Sequence, residues 1–213
     1  MATLNYTGLY KLQDSIFKII FSLENDFYLT GGTCISRFYF AKRYSDDLDF
    51  FADDSNIFNI EIKKIKNILA KEFNIKVEIE SRDFIRIKVN NILQIDFVND
   101  RVERYKDIII LENNYRIDNI ENILINKITA VMGRDNPKDI FDIYLISKFK
   151  KINWNEMIEF AQKKMFFNKE DFVYRLKSFP VELLKSIKLI DKEFLNNFKV
   201  EFNKTIETII EEM

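Results

Sequence analysis

Leu29-Thr30-Gly31-Gly32-Thr33 and, ten residues on, Arg43-Tyr44-Ser45-Asp46-Asp47-Leu48-Asp49-Phe50-Phe51 are the stretch on which the fold turns. Phe27–Thr30 reads as a short strand running into the Gly-Gly pair. The residues after it, 33–43, read as a helix with Thr33 near its N-terminus and Lys42-Arg43 at its basic end. Leu48–Phe51 reads as a second strand. Asp47 and Asp49 are two apart, so on extended backbone both carboxylates leave the same face while Leu48 turns to the other. Two acids held that close repel each other unless a cation neutralises them.

Outward from this stretch the periodicity separates two regions. Before it, residues 9–24 place Leu12, Ile16, Ile19, Ile20 and Leu23 at helical spacing. After it, 60–73 reads as a Lys-rich amphipathic helix. Residues 82–89 then alternate, with Ile85, Ile87 and Val89 on one face and Phe84, Arg86 and Lys88 on the other. Asn90-Asn91 reads as a hairpin turn into the next strand, 92–98, whose polar face carries Gln94 and Asp96. DIIIL at 107–111 adds one more strand. From about residue 119 the period is helical, with helices expected over 120–132, 137–149, 153–165, 169–178, 180–189 and 191–212. Asn136-Pro137 has the cap-and-first-position chemistry of a helix start. The expectation is an α+β fold in two domains: residues 1–118 with a small mixed sheet, and 119–213 as a helical bundle.

Composition narrows the chemistry. The chain of 213 residues has no histidine and one cysteine, Cys34. That excludes imidazole bases, Ser-His-Asp and Cys-His machinery and Cys-rich zinc sites. Lys and Arg number 33 against 34 Asp and Glu, and the balance holds in both regions, 17 basic to 19 acidic over 1–118 and 16 to 15 over 119–213. A nucleic-acid partner would therefore be met through local patches, since a typical DNA-binding domain is far more basic. No apolar run reaches the ~20 residues of a membrane span, and Met1–Ser15 lacks the layout of a secretory signal. The chain reads as soluble and cytoplasmic.

Carboxylate, lysine and backbone are what remain plentiful for catalysis. Gly31-Gly32 lets backbone N–H groups approach a phosphate. Asp47, Asp49 and, if its strand neighbours theirs, Asp96 form a hard-cation site of the kind that takes Mg²⁺. Singly, each feature has an ordinary explanation: a tight turn, a solvated strand end, a surface acid. In this order they suit nucleotidyl transfer by two metal ions, with Asp96 able to help deprotonate the attacking hydroxyl. Arg82, Phe84, Arg86 and Lys88 share a strand face, which serves either as a solvated surface or as a nucleic-acid contact. Cys34 reads as a core residue, Trp154 as an interhelical anchor, and Lys148, Lys150 and Lys151 as surface charge.

The 29–51 stretch resembles the nucleotidyltransferase motif of the AbiEii/AbiGii toxin family, in the DNA polymerase β-like superfamily. Lys127-Ile-Thr-Ala-Val-Met-Gly-Arg134 and Pro137-Lys-Asp-Ile-Phe-Asp-Ile-Tyr144 are similar to its helical elements. Together these segments span residues 29–146. The resemblance implies that Gly31, Gly32, Ser45, Lys127 and Asp139 serve nucleotide binding. It implies that Asp47, Asp49 and Asp96 are the catalytic, metal-binding acids. Gly32 stands where many relatives in the superfamily have Ser. It further implies an NTP substrate, Mg²⁺, an RNA acceptor such as a tRNA 3′ end, and an antitoxin protein, in a toxin–antitoxin or abortive-infection system. The competing readings are transfer to a small molecule or protein, and an inactive nucleotide- or RNA-binding protein. Other roles fit the helical residues equally: Asp139 as a first-turn acid, Arg134 as a helix cap, Tyr144 as packing, and Asp142 paired with Lys138.

Overall fold

The computed structural model describes residues 5–213, which divide into two compact units. The first comprises the described residues up to Cys34 with Ser45–Asn119; the second comprises Ile35–Tyr44 with Ile120–Met213. A single change of period at 118 does not convey this, because Ile35–Tyr44 packs with the helical unit.

In the first unit, α1 (Tyr6–Ser22) starts at Asn5, whose side chain accepts the Gly8 N–H at 3.2 Å. It buries Leu9, Gln13, Ile16, Phe17, Ile20 and Phe21, one stripe at three- and four-residue spacing. A later helix, α3 (Phe58–Glu72), buries Phe58, Ile62, Ile65 and Leu69 at the same spacing. Between them lie β1 (Tyr28–Thr30), the single turn α2 (Gly31–Cys34) and β2 (Leu48–Asp53). Then come β3 (Ile75–Glu80), β4 (Phe84–Val89), β5 (Leu93–Asp100), β6 (Ile109–Ile110) and β7 (Arg116–Ile117).

These strands form one mixed sheet in the order β3-β4-β5-β2-β1-β7-β6. β2 runs parallel to β5, and β1 parallel to β7. The remaining neighbours are antiparallel. The sheet is larger than the alternation suggests. β3 is an edge strand with Val77 and Ile79 exposed, so its apolar alternation covers no core. β7 is two residues long, too short to leave a periodic signal. Registered residues on neighbouring strands point to the same side, and Leu29, Phe50, Phe97 and Ile85 form one buried row. Aromatic packing fills this face, with Phe50 stacked on Phe97 at 5.5 Å and Phe27 edge-on to Phe97 at 5.0 Å.

In the second unit, α4 (Ile120–Gly133), α5 (Pro137–Phe149), α6 (Trp154–Lys164), α7 (Lys169–Ser178) and α8 (Phe198–Glu212) form the helical bundle. Asn136 caps α5 by accepting the Lys138 N–H at 3.0 Å, with Pro137 at the first position, as the sequence chemistry requires. Trp154 is buried.

Three expected helices differ from the structure. The helix over 33–43 ends at Tyr39, its last turn widened to a π-helix in which Phe40 N–H reaches Ile35 C=O at 2.8 Å. Beyond Tyr39 a tight turn, with Lys42 N–H on Phe40 C=O at 2.8 Å, leads into 42–44, which pair with 188–190: Tyr44 N–H donates to Lys188 C=O at 2.8 Å and Ile190 N–H to Lys42 C=O at 2.9 Å. That pairing removes 187–189 from the helix expected over 180–189, leaving one 3₁₀ stretch, Val181–Ser186. It also delays the last helix to Phe198, with Lys42 holding Asp191 at 2.8 Å. Among the described residues no helix is long and apolar enough to cross a membrane.

Candidate active site

The face of the sheet opposite the Phe50–Phe97 row carries the acids. β2 pairs with β5 so that Asp49 stands beside Asp96; β1 pairs with β2 so that Thr30 stands beside Asp49; β4 pairs with β5 so that Arg86 stands beside Asp96. Arg86, Asp96, Asp49 and Thr30 thus make a polar row across four strands. Asp47 lies just before β2, two residues from Asp49, and its carbonyl accepts a hydrogen bond from the Thr33 hydroxyl. The register thus sets Asp96 beside Asp49, with Asp47 two residues before Asp49 in the chain.

Gly31 meets this row at close range. Its φ is +68°, in the left-handed region. A methyl group built on it falls inside the van der Waals envelope of Asp49 Oδ2 and 3.1 Å from Asp49 Cγ. The position needs glycine for both reasons, so part of the Gly-Gly requirement is space for the Asp49 carboxylate. Gly31→Ala is expected to cost about 1–2 kcal/mol from the backbone alone. Displacing Asp49 by about an ångström should lower turnover about 10²-fold. A thermal melt and a turnover assay on this variant check the two effects separately. Gly32 is buried in the following turn.

Ser45 is fixed through its backbone. Its N–H donates to Tyr10 Oη at 3.2 Å, and its carbonyl accepts from Nε2 of the fully buried Gln13 at 3.2 Å. Helix α1 thereby holds the lead-in to Asp47. Thr30 is anchored to Asp118 at 2.7 Å, and Arg104 Nη2 donates to the same carboxylate at 2.6 Å. Arg104 also bonds Asp53 at 2.9 Å and lies 4.2 Å from the centre of the Tyr28 ring, while Tyr28 Oη donates to Asp53 at 2.7 Å. Burial, and then Asp118, push the Tyr28 phenol well above its ordinary pKa, so it remains a donor. Burial likewise pushes the Cys34 thiol up, which fits a core residue.

Asp96 is already engaged. Arg86 Nε donates to its Oδ1 at 2.8 Å and Nη2 to its Oδ2 at 2.7 Å, with Gln94 Nε2 on Oδ2 at 3.3 Å. The residues fit a divalent cation at the Asp47–Asp49 pair, beside the cradle that a Cβ on Gly31 would fill. As they stand, no three Asp, Glu or Cys side chains among the described residues form a ready metal cluster. Arg86 was legible only as one member of a basic strip. A stronger signal existed, because matching the apolar faces of 85–89 and 93–97 requires a loop of odd length, and three residues, 90–92, is the shortest that closes a hairpin there. That register opposes Arg86 to Asp96.

Lys127 and Asp139 lie in the helical unit, in an ion network. Lys127 Nζ contacts Asp139 at 2.7 Å and Asp142 at 2.8 Å. Arg43 forks onto Asp142 with two 2.7 Å bonds, and Arg134 onto Asp139 at 2.7 and 3.1 Å. Asp142 thus pairs with Arg43 and Lys127, not with Lys138. Arg134 closes α4 through its backbone, its N–H donating to Ala130 C=O at 2.9 Å, while its side chain reaches an acid. Both carboxylates are fully buried, whereas the Arg134 side chain is 58% exposed. Burial would raise both acids, but the adjacent cations, Arg43 then Lys127 for Asp142 and Lys127 then Arg134 for Asp139, outweigh it and hold them below the usual range. Burial would lower Lys127, and Asp142 and Asp139 reverse that.

A mixed sheet with an acid-x-acid strand beside a third acid is an arrangement that suits nucleotidyl transfer. A family model described as nucleotidyl transferase AbiEii toxin, type IV toxin–antitoxin system, matches residues 18–212, and the chain belongs to that family. The fold is similar to the crystal structure of JHP933 from Helicobacter pylori (TM-score 0.61, 20% identity, 98% of this chain and 93% of that one covered). It is also similar to MenT4, a nucleotidyltransferase toxin from Mycobacterium tuberculosis (0.59, 11%, 96% and 84%). A third similar structure is the antibiotic-resistance factor ANT(2'')-Ia (0.56, 15%, 74% and 91%). No curated protein matches the chain.

Proposed function

We propose that this nucleotidyltransferase moves NMP from an NTP to an RNA acceptor, with a tRNA 3′ end as the favoured class, and that Mg²⁺ is its metal. In that reaction the acceptor oxygen bonds to the α-phosphorus and the bond to pyrophosphate breaks. The observation that carries the reading is the row in which Gly31 abuts Asp49 and Asp96 stands beside it. Asp47 and Asp49 would hold the metal, which supplies neutralising charge for the phosphates when bound. Gly31 and Gly32 offer backbone to the nucleotide phosphates, and Ser45 is held at their side. Lys127 and Asp139 are proposed for nucleotide binding in the helical unit. An antitoxin, the partner implied by family membership, would neutralise the protein in the cytoplasm, in a toxin–antitoxin or abortive-infection setting.

The test is incubation with each labelled NTP, Mg²⁺ and total cellular RNA. Label entering RNA with the native chain and absent with Asp47→Ala is expected. The near-neutral charge, 33 basic against 34 acidic groups, favours a second reading in which a small molecule or protein is the acceptor. Label in those fractions alone moves the acceptor to that class. Metal-dependent NTP binding with no transfer to anything refutes the enzymatic assignment.

A further inference from the structure

Arg86 and Asp96 are opposed by hairpin register, and the guanidinium forks across both carboxylate oxygens. Such a bidentate pair is strong and directional. A divalent cation seeking the same oxygens meets both a filled coordination edge and an adjacent positive charge. Arg86 also has somewhere else to go. Its side chain is 31% exposed, against 12% for Asp96. The Phe84 ring, two residues back on the same strand face, has its centre 5.5 Å from the guanidinium carbon. Glu78 on edge strand β3 and Asp47 both add attractive fields around it.

We propose that Arg86 and a divalent cation compete for the Asp96 carboxylate, so that Asp96 serves as a metal ligand only after Arg86 has moved off it. The proposal rests on the nucleotidyltransferase reading of the Asp47–Asp49 pair and adds to it an order of events. The Asp47–Asp49 pair takes its cation first, and Asp96 is recruited afterwards. Arg86 is in this account a positioning residue, which acts on the metal through Asp96.

Mn²⁺ binding to the full chain without nucleotide, read from the loss of the free-ion EPR signal, tests this. Arg86→Met is expected to bind Mn²⁺ about tenfold more tightly or to take up a second ion. The gain is expected to vanish in Arg86→Met/Asp96→Asn. Asp96→Asn alone is expected to bind as the native chain does, because Arg86 already holds that carboxylate. No gain in Arg86→Met, a gain that survives in the double variant, or weakened binding in Asp96→Asn alone overturns the competition. Should circular dichroism show Arg86→Met unfolded, Arg86→Lys, which keeps the charge but loses the fork, is expected to give a smaller gain, and none overturns the proposal. Asp47→Asn separates the two levels. Unchanged Mn²⁺ binding in that variant strikes the metal assignment of the Asp47–Asp49 pair, and leaves the Arg86 comparison to be judged on its own.

Discussion

Asp49→Asn is expected to fold normally and to lose nucleotidyl transfer by about 10³-fold, equivalent to roughly 4 kcal/mol of transition-state stabilisation. Asparagine is nearly isosteric with aspartate, so the fit against Gly31 and the pairing of Thr30, Asp49 and Asp96 survive. What disappears is one negative charge at the place proposed for the cation. Asp54→Asn is the matching control. Asp54 is an exposed residue just past the end of β2 with φ +46°, a conformation asparagine accepts, and turnover there should match the native chain. Label transferred per mole of enzyme and a thermal melt on each variant make the comparison. Activity within tenfold of native in Asp49→Asn would remove the acid pair from the centre of the reaction.

Asp142→Ala should be the most destabilising single change in the helical unit, costing about 3–5 kcal/mol. The carboxylate is fully buried between Arg43 and Lys127, and its removal leaves two buried cations facing each other. For a chain of this size that corresponds to a fall in melting temperature on the order of 10 °C. Asp139→Ala should cost less, because Arg134 can turn to water and Lys127 keeps Asp142. The reverse ranking in denaturant titrations would show that the network is not organised around Asp142.

The same network sets a pH window. Asp139 and Asp142 have folded-state pKa values depressed by their cations, so their stabilisation is fully present above the unfolded carboxylate value near ~4 and is lost as pH falls through the folded values. Lys127 is shifted upward, so its contribution holds below the unfolded lysine value near ~10 and fades as pH rises through the folded one. A stability plateau between those limits is expected. Its acid limb should flatten in Asp142→Ala.

Much of the site is short-range in sequence and was legible for that reason. Strand, Gly-Gly and acid-x-acid lie within 29–51, where local periodicity decides which side chains share a face. Helices α5 and α7 were legible to the residue, because Asn136-Pro137 caps one and charged turns bound the other. Residues 40–43, 187–189 and 191–197 read as helical from their apolar spacing; in the structure 42–44 pair with 188–190, and 192–197 form successive turns ahead of α8. Arg43 shows the same limit. It reads as a basic helix end, yet its fork onto Asp142 spans 99 residues of chain.

The sequence by itself determined the chemistry available to this protein. With no histidine and a single cysteine, the side chains left in number for phosphate chemistry are carboxylates and lysine, with backbone at Gly31-Gly32, and the two-residue spacing of Asp47 and Asp49 suits a shared face on extended backbone. Tertiary structure alone decided which charges meet. Whether Asp96 stands beside Asp49, whether Arg86 closes on Asp96, and whether Lys127 is shared by Asp139 and Asp142 depend on strand order and helix packing between distant segments. Those outcomes are invisible to local spacing because a one-residue slip in register turns every side chain of a strand to the other face.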